Sequence, residues 1–140
     1  MFAQEGQNVY PFLNIPVSAR QAALGGDAVS IRDFDVSFAG VNPGLMNLEQ
    51  DQMISLNFAS YLADSKYGTI SFVKDLGEAH LISFNARYMD YGRMPRTDES
   101  ATIDGEFGAM DASVGLGYAY QFDENWTIAG GTNFISSKID

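Results

Sequence analysis

Ser71 and Lys74 form a Ser-x-x-Lys, and Ser83 with Asn85 forms a Ser-x-Asn. These are the side chains of serine acyl-enzymes, in which a lysine amine activates a hydroxyl nucleophile. The spacing serves that chemistry only on a helix, because a strand sends positions i and i+3 to opposite faces. No Lys-Thr-Gly completes the set, and Lys66-Tyr67-Gly68 precedes the serine instead of following it. His80 is the single histidine, so a metal centre would need carboxylates on its face, and none cluster there. Asp98, Glu99, Asp104 and Glu106 lack the alternate acids of a calcium loop and read as solvated acids. Arg20, Arg32 and Arg87 are expected to pair with Asp33, Asp35 or Asp90 inside a polar interior. The chain is therefore read as a non-enzyme, with no catalytic residue, metal ligand or cofactor.

The elements that carry these residues are strands. From Asp111 to Lys138 two stretches of strict alternation are joined by Asp123, Glu124 and Asn125. Ala112, Val114, Leu116, Tyr118, Tyr120 and Phe122 fall on one face, and Asp111, Ser113, Gly115, Gly117, Ala119 and Gln121 on the other. About eleven residues of strand, at ~3.3 Å per residue and a tilt of ~45°, span roughly 25 Å, the apolar thickness a membrane barrel must cover. A first strand is read from Gln52 to Leu62, a second from Lys66 to Lys74, and a third from Ala79 to Tyr91. The turn Asp75, Leu76, Gly77, Glu78 makes a hairpin of the second and third. Gly92 to Glu106 reads as a long irregular loop. Residues 1–50 show no alternation; Pro11, Pro16, Pro43 and an Ala-rich Ser18–Leu24 ending at Gly25-Gly26 predict short helical turns with a glycine stop.

Composition narrows the class further. The chain has 140 residues, no cysteine and a formal charge of −10, with eight scattered basic residues, which argues against nucleic acid. No apolar run approaches the ~20 residues of a spanning helix, so a membrane crossing must be made by strands. Five strands leave an edge of unpaired backbone groups in hydrocarbon, so the chain is read as the amino-terminal part of a longer barrel. Met1, Phe2, Ala3 and Gln4 look like the remnant of a secretory signal. With residues 1–50 on the periplasmic side, the turns at 75–78 and 123–125 are periplasmic and the 92–106 loop is extracellular, as barrels arrange them. Tyr61, Tyr67, Tyr88, Tyr91 and Phe107 then form an outer aromatic girdle, and Phe72, Tyr120, Phe122 and Trp126 an inner one.

Phe12 to Leu24, followed by Gly25-Gly26, resembles the start of the mature PorQ family, outer-membrane components of the type IX secretion system. Phe38-Ala39-Gly40-Val41-Asn42-Pro43-Gly44-Leu45 is similar to the Asn-Pro-Ala-Leu stretch that ends the plug of this family and of fatty-acid-transporter barrels, with Gly44 in place of the usual alanine. Asn57–Tyr67, Tyr88–Gly92 and Gly105–Asp111 also look like that family, so the likeness covers nearly all of the chain.

The resemblance implies an all-β fold: a transmembrane antiparallel β-barrel of about fourteen strands. Residues 1–50 would be its plug, and residues 51–140 roughly its first five strands. It implies a non-catalytic role in the outer membrane of a Gram-negative bacterium, beside PorZ-like, PorU-like and PorV-like proteins that attach cargo to lipopolysaccharide. Asn42, Pro43 and Gly44 would be the plug motif. Arg93, Arg96, Asp98, Glu99 and Asp104 lie in the best-placed docking loop. The alternative is a transport channel for hydrophobic small molecules, in which the plug gates a ligand path. A soluble β-rich enzyme would instead bury Ile82, Phe84, Val114 and Leu116 in a dry core.

Overall fold

The computed structural model describes residues 10–26, 30–61, 64–97 and 103–139. Its framework is one antiparallel sheet in which each strand pairs with the next in sequence: β1 (Met53–Ser60), β2 (Lys66–Asp75), β3 (His80–Thr97), β4 (Ile103–Asp123) and β5 (Trp126–Ile139). The sheet is not closed, and β1 and β5 are its edges. The fold is all-β.

Ahead of the sheet runs a segment of short helical elements: α1 (Ala19–Ala23) and 3₁₀ turns at Pro11–Asn14, Val36–Gly40, Pro43–Leu45 and Leu48–Gln50. Each starts where the sequence supplies a cap or a proline. Ser18 accepts from the Gln21 N–H at 3.2 Å, Asp35 from Ser37 at 3.0 Å, Asn42 from Gly44 at 3.0 Å and Asn47 from Glu49 at 2.9 Å. After α1, Gly25 and Gly26 take φ of 91° and 93°, and the Gly26 N–H returns to the Gln21 carbonyl at 2.9 Å. Only glycine adopts that backbone without strain, so it ends the helix. Elements this short do not persist alone; packing on the sheet holds them.

Register decides which face does the holding. From β1 to β5, paired positions such as Ile54–Phe72–Phe84–Leu116–Thr132 line one face, and Ser55–Ser71–Asn85–Gly115–Asn133 the other. The second, inner face lies under the amino-terminal segment. Val36, Ala39 and Met46 pack there against Val73, Leu81 and Ala119, and Phe12 packs against Tyr67 and Met89. The outer face is uncovered: Leu56 is 73% exposed, Leu116 53%, Phe84 40% and Phe134 67%. The boundary expected at Glu49–Asp51 is a change of secondary structure across a shared core. Asp51 marks it, its carboxylate accepting the Asp75 N–H at 2.8 Å and so tying the start of β1 to the end of β2.

Several expectations need correction. β1 ends at Ser60 instead of Leu62, and the 92–106 segment is mostly strand: β3 continues to Thr97 and β4 starts at Ile103. Two register shifts, between Asp90 and Arg93 and between Pro95 and Thr97, break the alternation there, so period-two reading loses the strand. Tyr67 and Tyr91 lie on the inner face, Tyr67 only 2% exposed, and Phe72 pairs with Phe84 in the middle of the sheet. Tyr61 also turns to the segment's side, lining a hollow with Ile15, Pro16 and Met89, and Phe107 falls in phase with Ala109 and Asp111 on the inner side of β4. The outward aromatics near the two ends are Phe58 and Tyr88 at one, and Tyr118, Tyr120, Phe122 and Trp126 at the other. At the second end Tyr120 stacks at 4.7 Å on His80 and edge-on at 5.4 Å to Phe122.

Arg20 bridges Asp33 and Asp35, as the sequence suggests. Burial alone would raise the Asp33 carboxyl, but the Asp35 N–H and the Arg20 guanidinium overcome it and hold the group below its ordinary value. A depressed carboxylate stabilises the fold above its unfolded pKa, and that contribution is lost as pH falls through the folded value. Acidification from pH 7 to below pH ~3 is therefore expected to lower the amide protection factors of residues 31–50, each taken against the intrinsic rate at that pH, before those of β2–β4. Both partners are partly exposed, so water screens the pair. Arg20→Gln should flatten this pH dependence.

Candidate functional site

Asn42, Pro43 and Gly44 form one tight unit. Asn42 lies in extended backbone and its side-chain oxygen accepts the Gly44 N–H, Pro43 takes the first helical position, and the Leu45 and Met46 N–H groups return to the Asn42 and Pro43 carbonyls at 3.0 and 3.1 Å. A Cβ at Gly44 would stand 3.1 Å from the Asn42 side-chain oxygen, so alanine there would press on the capping carboxamide.

The unit sits in a notch of glycines on the inner face. A Cβ on Gly117 would come within 3.2 Å of the Pro43 Cγ and collide with the Ser83 hydroxyl; one on Gly131 would lie 3.3 Å from the same Cγ and 3.0 Å from the Leu116 carbonyl oxygen. Gly40 approaches Asn85 as closely, a Cβ there standing 3.0 Å from the Asn85 Cβ. Gly115 is crossed by the carboxamides of Asn85 and Asn133, its partners on β3 and β5. These glycines are required by proximity instead of by φ.

Arg87 locks the arrangement. It is 8% exposed, and its guanidinium donates to the Leu13 carbonyl at 2.8 Å and to the Gly40 carbonyl at 2.9 Å, joining two separate turns of the segment to β3. The expected carboxylate partner is absent: Asp90 instead accepts the Gly92 N–H at 2.9 Å. Arg32 likewise finds a carbonyl, that of Glu124 at 3.1 Å in the β4–β5 turn. Thr69 donates to the Val17 carbonyl at 2.7 Å, and the Ser37 and Ser55 hydroxyls meet at 2.7 Å with Asn57 donating to Ser55 at 3.0 Å. Ser83 Oγ, Asn85 Oδ1, Ser113 Oγ, Gln121 Oε1 and Thr127 Oγ1 are buried on this face without a hydrogen-bond partner. The inner face is thus polar, and the segment satisfies only part of it.

The outer hairpin is the second candidate region. Arg93 meets Glu106 at 3.4 Å with side chains 82% and 59% exposed, a contact worth little in stability. Arg96 lies in β3 and Asp104 in β4; Asp98 and Glu99 fall outside the described residues. Ser71 is buried on the inner face while Lys74 is exposed on the outer, so the Ser-x-x-Lys side chains do not meet. His80 Nδ1 is 2.6 Å from the Tyr118 hydroxyl. Among the described residues no three His, Asp or Glu side chains group as a metal site, and no helix is long and apolar enough to cross a membrane.

Sequence reading identified the Asn-Pro-Gly turn but not its seat. The available signal was glycine at every second position, Gly115 and Gly117, inside a strand otherwise rich in side chains. Arg87→Met should leave the Leu13 and Gly40 carbonyls unpaired and cost about 2–4 kcal/mol, read as a lower denaturation midpoint and faster proteolysis of residues 10–50. Gly117→Val should displace Pro43 and accelerate the same cleavage while the β-sheet circular dichroism signal persists. Cleavage at the wild-type rate in both variants would refute this account of the seat. No protein-family model, curated protein or solved structure matches this chain.

Proposed function

We propose that the chain builds the plug and first strands of an outer-membrane β-barrel, and that the barrel is a non-catalytic membrane anchor for a surface attachment complex of the type IX secretion system. The observation that carries the membrane part is the uncovered outer face. Ile54, Leu56, Phe58, Ile82, Phe84, Val114, Leu116 and Phe134 stand exposed on β1, β3, β4 and β5, an apolar surface that water penalises and lipid tails do not. A soluble core would have to bury these same residues. The stretch from His80 to Tyr88 matches the roughly 9–11 residues a tilted strand needs to span the hydrocarbon. Open edges at β1 and β5 require further strands beside them, because unpaired backbone groups in lipid cost several kcal/mol each.

The secretion role rests on the resemblance of Phe12–Leu24 and the Asn42-Pro43-Gly44 stretch to the PorQ family. PorZ-like, PorU-like and PorV-like proteins are the partners it implies, with the hairpin bearing Arg93, Arg96, Asp98, Glu99 and Asp104 as their docking point. A fatty-acid-type channel would share the plug, but a hydrophobic ligand path should be apolar. Ser55, Asn57, Ser83, Asn85, Arg87 and Ser113 make the inner face polar and favour the anchor.

An epitope inserted between Glu99 and Ser100 should be reached by antibody on intact cells, and deletion of residues 96–104 should release the attachment complex into the medium while the barrel stays in the membrane. An epitope accessible only after lysis would refute the orientation, and retention of the complex by the deletion would refute the docking role. Leu116→Arg places a charge at mid-band and should cost about 2–4 kcal/mol of membrane-inserted stability. The soluble alternative, with Leu116 in a dry core, would lose its fold to the same change in bilayer-free buffer, so stability measured with and without a bilayer separates the two.

A further inference from the structure

The turn that joins β4 to β5 reads Asp123-Glu124-Asn125-Trp126-Thr127. Asn125-Trp126-Thr127 is the only place in the sequence where an asparagine has a serine or threonine two positions on with no proline between them. That spacing is what an N-glycosylating transferase requires, because it holds the hydroxyl while the carboxamide nitrogen reacts. Bacterial transferases of this class also read an acid two positions before the asparagine, and Asp123 stands there.

The local structure gives these side chains no other duty. Turns select asparagine because its side chain bonds nearby backbone or because it accepts a positive φ. Asn125 does neither: it is exposed, makes no hydrogen bond among the described residues and does not take a positive φ. The Glu124 N–H donates to the Asp123 carboxylate instead, at 2.7 Å. Thr127 suits β5 through its β-branch, but its hydroxyl is buried without a partner, a cost that valine would avoid. Asp123 and Trp126 are the last pair of the two strands, so Asn125 stands past the end of the ladder, where an attached sugar would meet water.

We propose that Asn125 is the acceptor of an N-linked oligosaccharide. The inference rests on the reading that the 123–125 turn faces the periplasm, and its donor is an oligosaccharide carried on a polyprenyl pyrophosphate. The Asn125 nitrogen attacks the anomeric carbon of the first sugar and forms the N–C bond. The bond from that carbon to the pyrophosphate oxygen breaks, the polyprenyl pyrophosphate leaves with the electron pair, and the amide proton passes to a base of the transferase. The folded hairpin hides the Thr127 hydroxyl, so transfer precedes the pairing of β5 with β4. Once made, the glycan keeps the turn on the side where it was attached, because sugar hydroxyls are costly to bring into hydrocarbon.

The full chain isolated from its native envelope should yield, by mass spectrometry of the peptide spanning Asp123–Thr127, one oligosaccharide on Asn125. Asn125→Gln and Thr127→Val should each abolish it, and Asp123→Ala should lower its rate of transfer about tenfold, the loss of one charge-assisted contact. Thr127→Val keeps the side-chain volume and removes an orphan hydroxyl, so this variant should fold as well as the wild type. A bare Asn125 in the wild-type chain, or a glycan that persists in Thr127→Val, would overturn the site. Given transferase and lipid-linked donor in vitro, full chain diluted from urea should be modified and chain already folded in micelles should not; equal transfer to both would overturn the order of events. Membrane insertion of the same samples separates the two levels: an inserted chain with bare Asn125 overturns the site alone, whereas a glycosylated chain that never inserts overturns the barrel reading and leaves the site standing.

Discussion

A strand gives its side chains to two faces in turn, and in this sheet the two faces meet different surroundings. One is roofed by the amino-terminal segment and is polar; the other is greasy and covered by none of the described residues. Everything else follows from that division. Among the described residues two small hydrophobic clusters lie between segment and inner face and a third, of Phe38, Leu45 and Ile31, within the segment. On the inner side Arg87 is bound to backbone carbonyls and Asp111 to the Tyr91 hydroxyl, and the large apolar residues stay on the outside of a sheet whose edges are open.

The contact between segment and sheet is held by polar specificity more than by burial. Six residues, Val36, Ala39, Met46, Val73, Leu81 and Ala119, make its main apolar cluster, too few to order a segment of short turns without help. Arg87 supplies part of that help by binding two turns at once, and the glycine notch under Pro43 supplies the rest by letting backbone meet backbone. A guanidinium suits this position because its planar fork serves two carbonyls in fixed geometry, which a lysine ammonium does not. The unpartnered Ser83, Asn85, Ser113, Gln121 and Thr127 atoms oppose the contact, since each buried orphan costs on the order of 1–3 kcal/mol. The seat is specific in shape and moderate in strength.

Much of the fold was legible before the structure. The alternation of Ile82–Tyr88 and Ala112–Phe122 located the centres of β3 and β4 and assigned the correct residues to each face. Gly77 and the Asp123–Asn125 triplet marked turns that the sheet does make. Legibility failed beyond Asp90, because two register shifts change the phase of the alternation there. It failed again for Tyr67 and Tyr91, which carry aromatic rings of a kind suited to either a girdle or a core, and for Arg87 and Arg32, which were matched to acids by charge and in fact donate to carbonyls.

Local chemistry therefore determined the strands, their two faces, the capped turns of the segment and the Asn42-Pro43-Gly44 unit, because each depends on residues within a few positions of one another. Only the tertiary structure decided what the inner face touches. Arg87 meets carbonyls 74 and 47 positions away, and Pro43 finds its notch on β4 and β5. Such partners are chosen by how far a folded sheet brings distant backbone together, and a periodic sequence pattern carries no record of that distance.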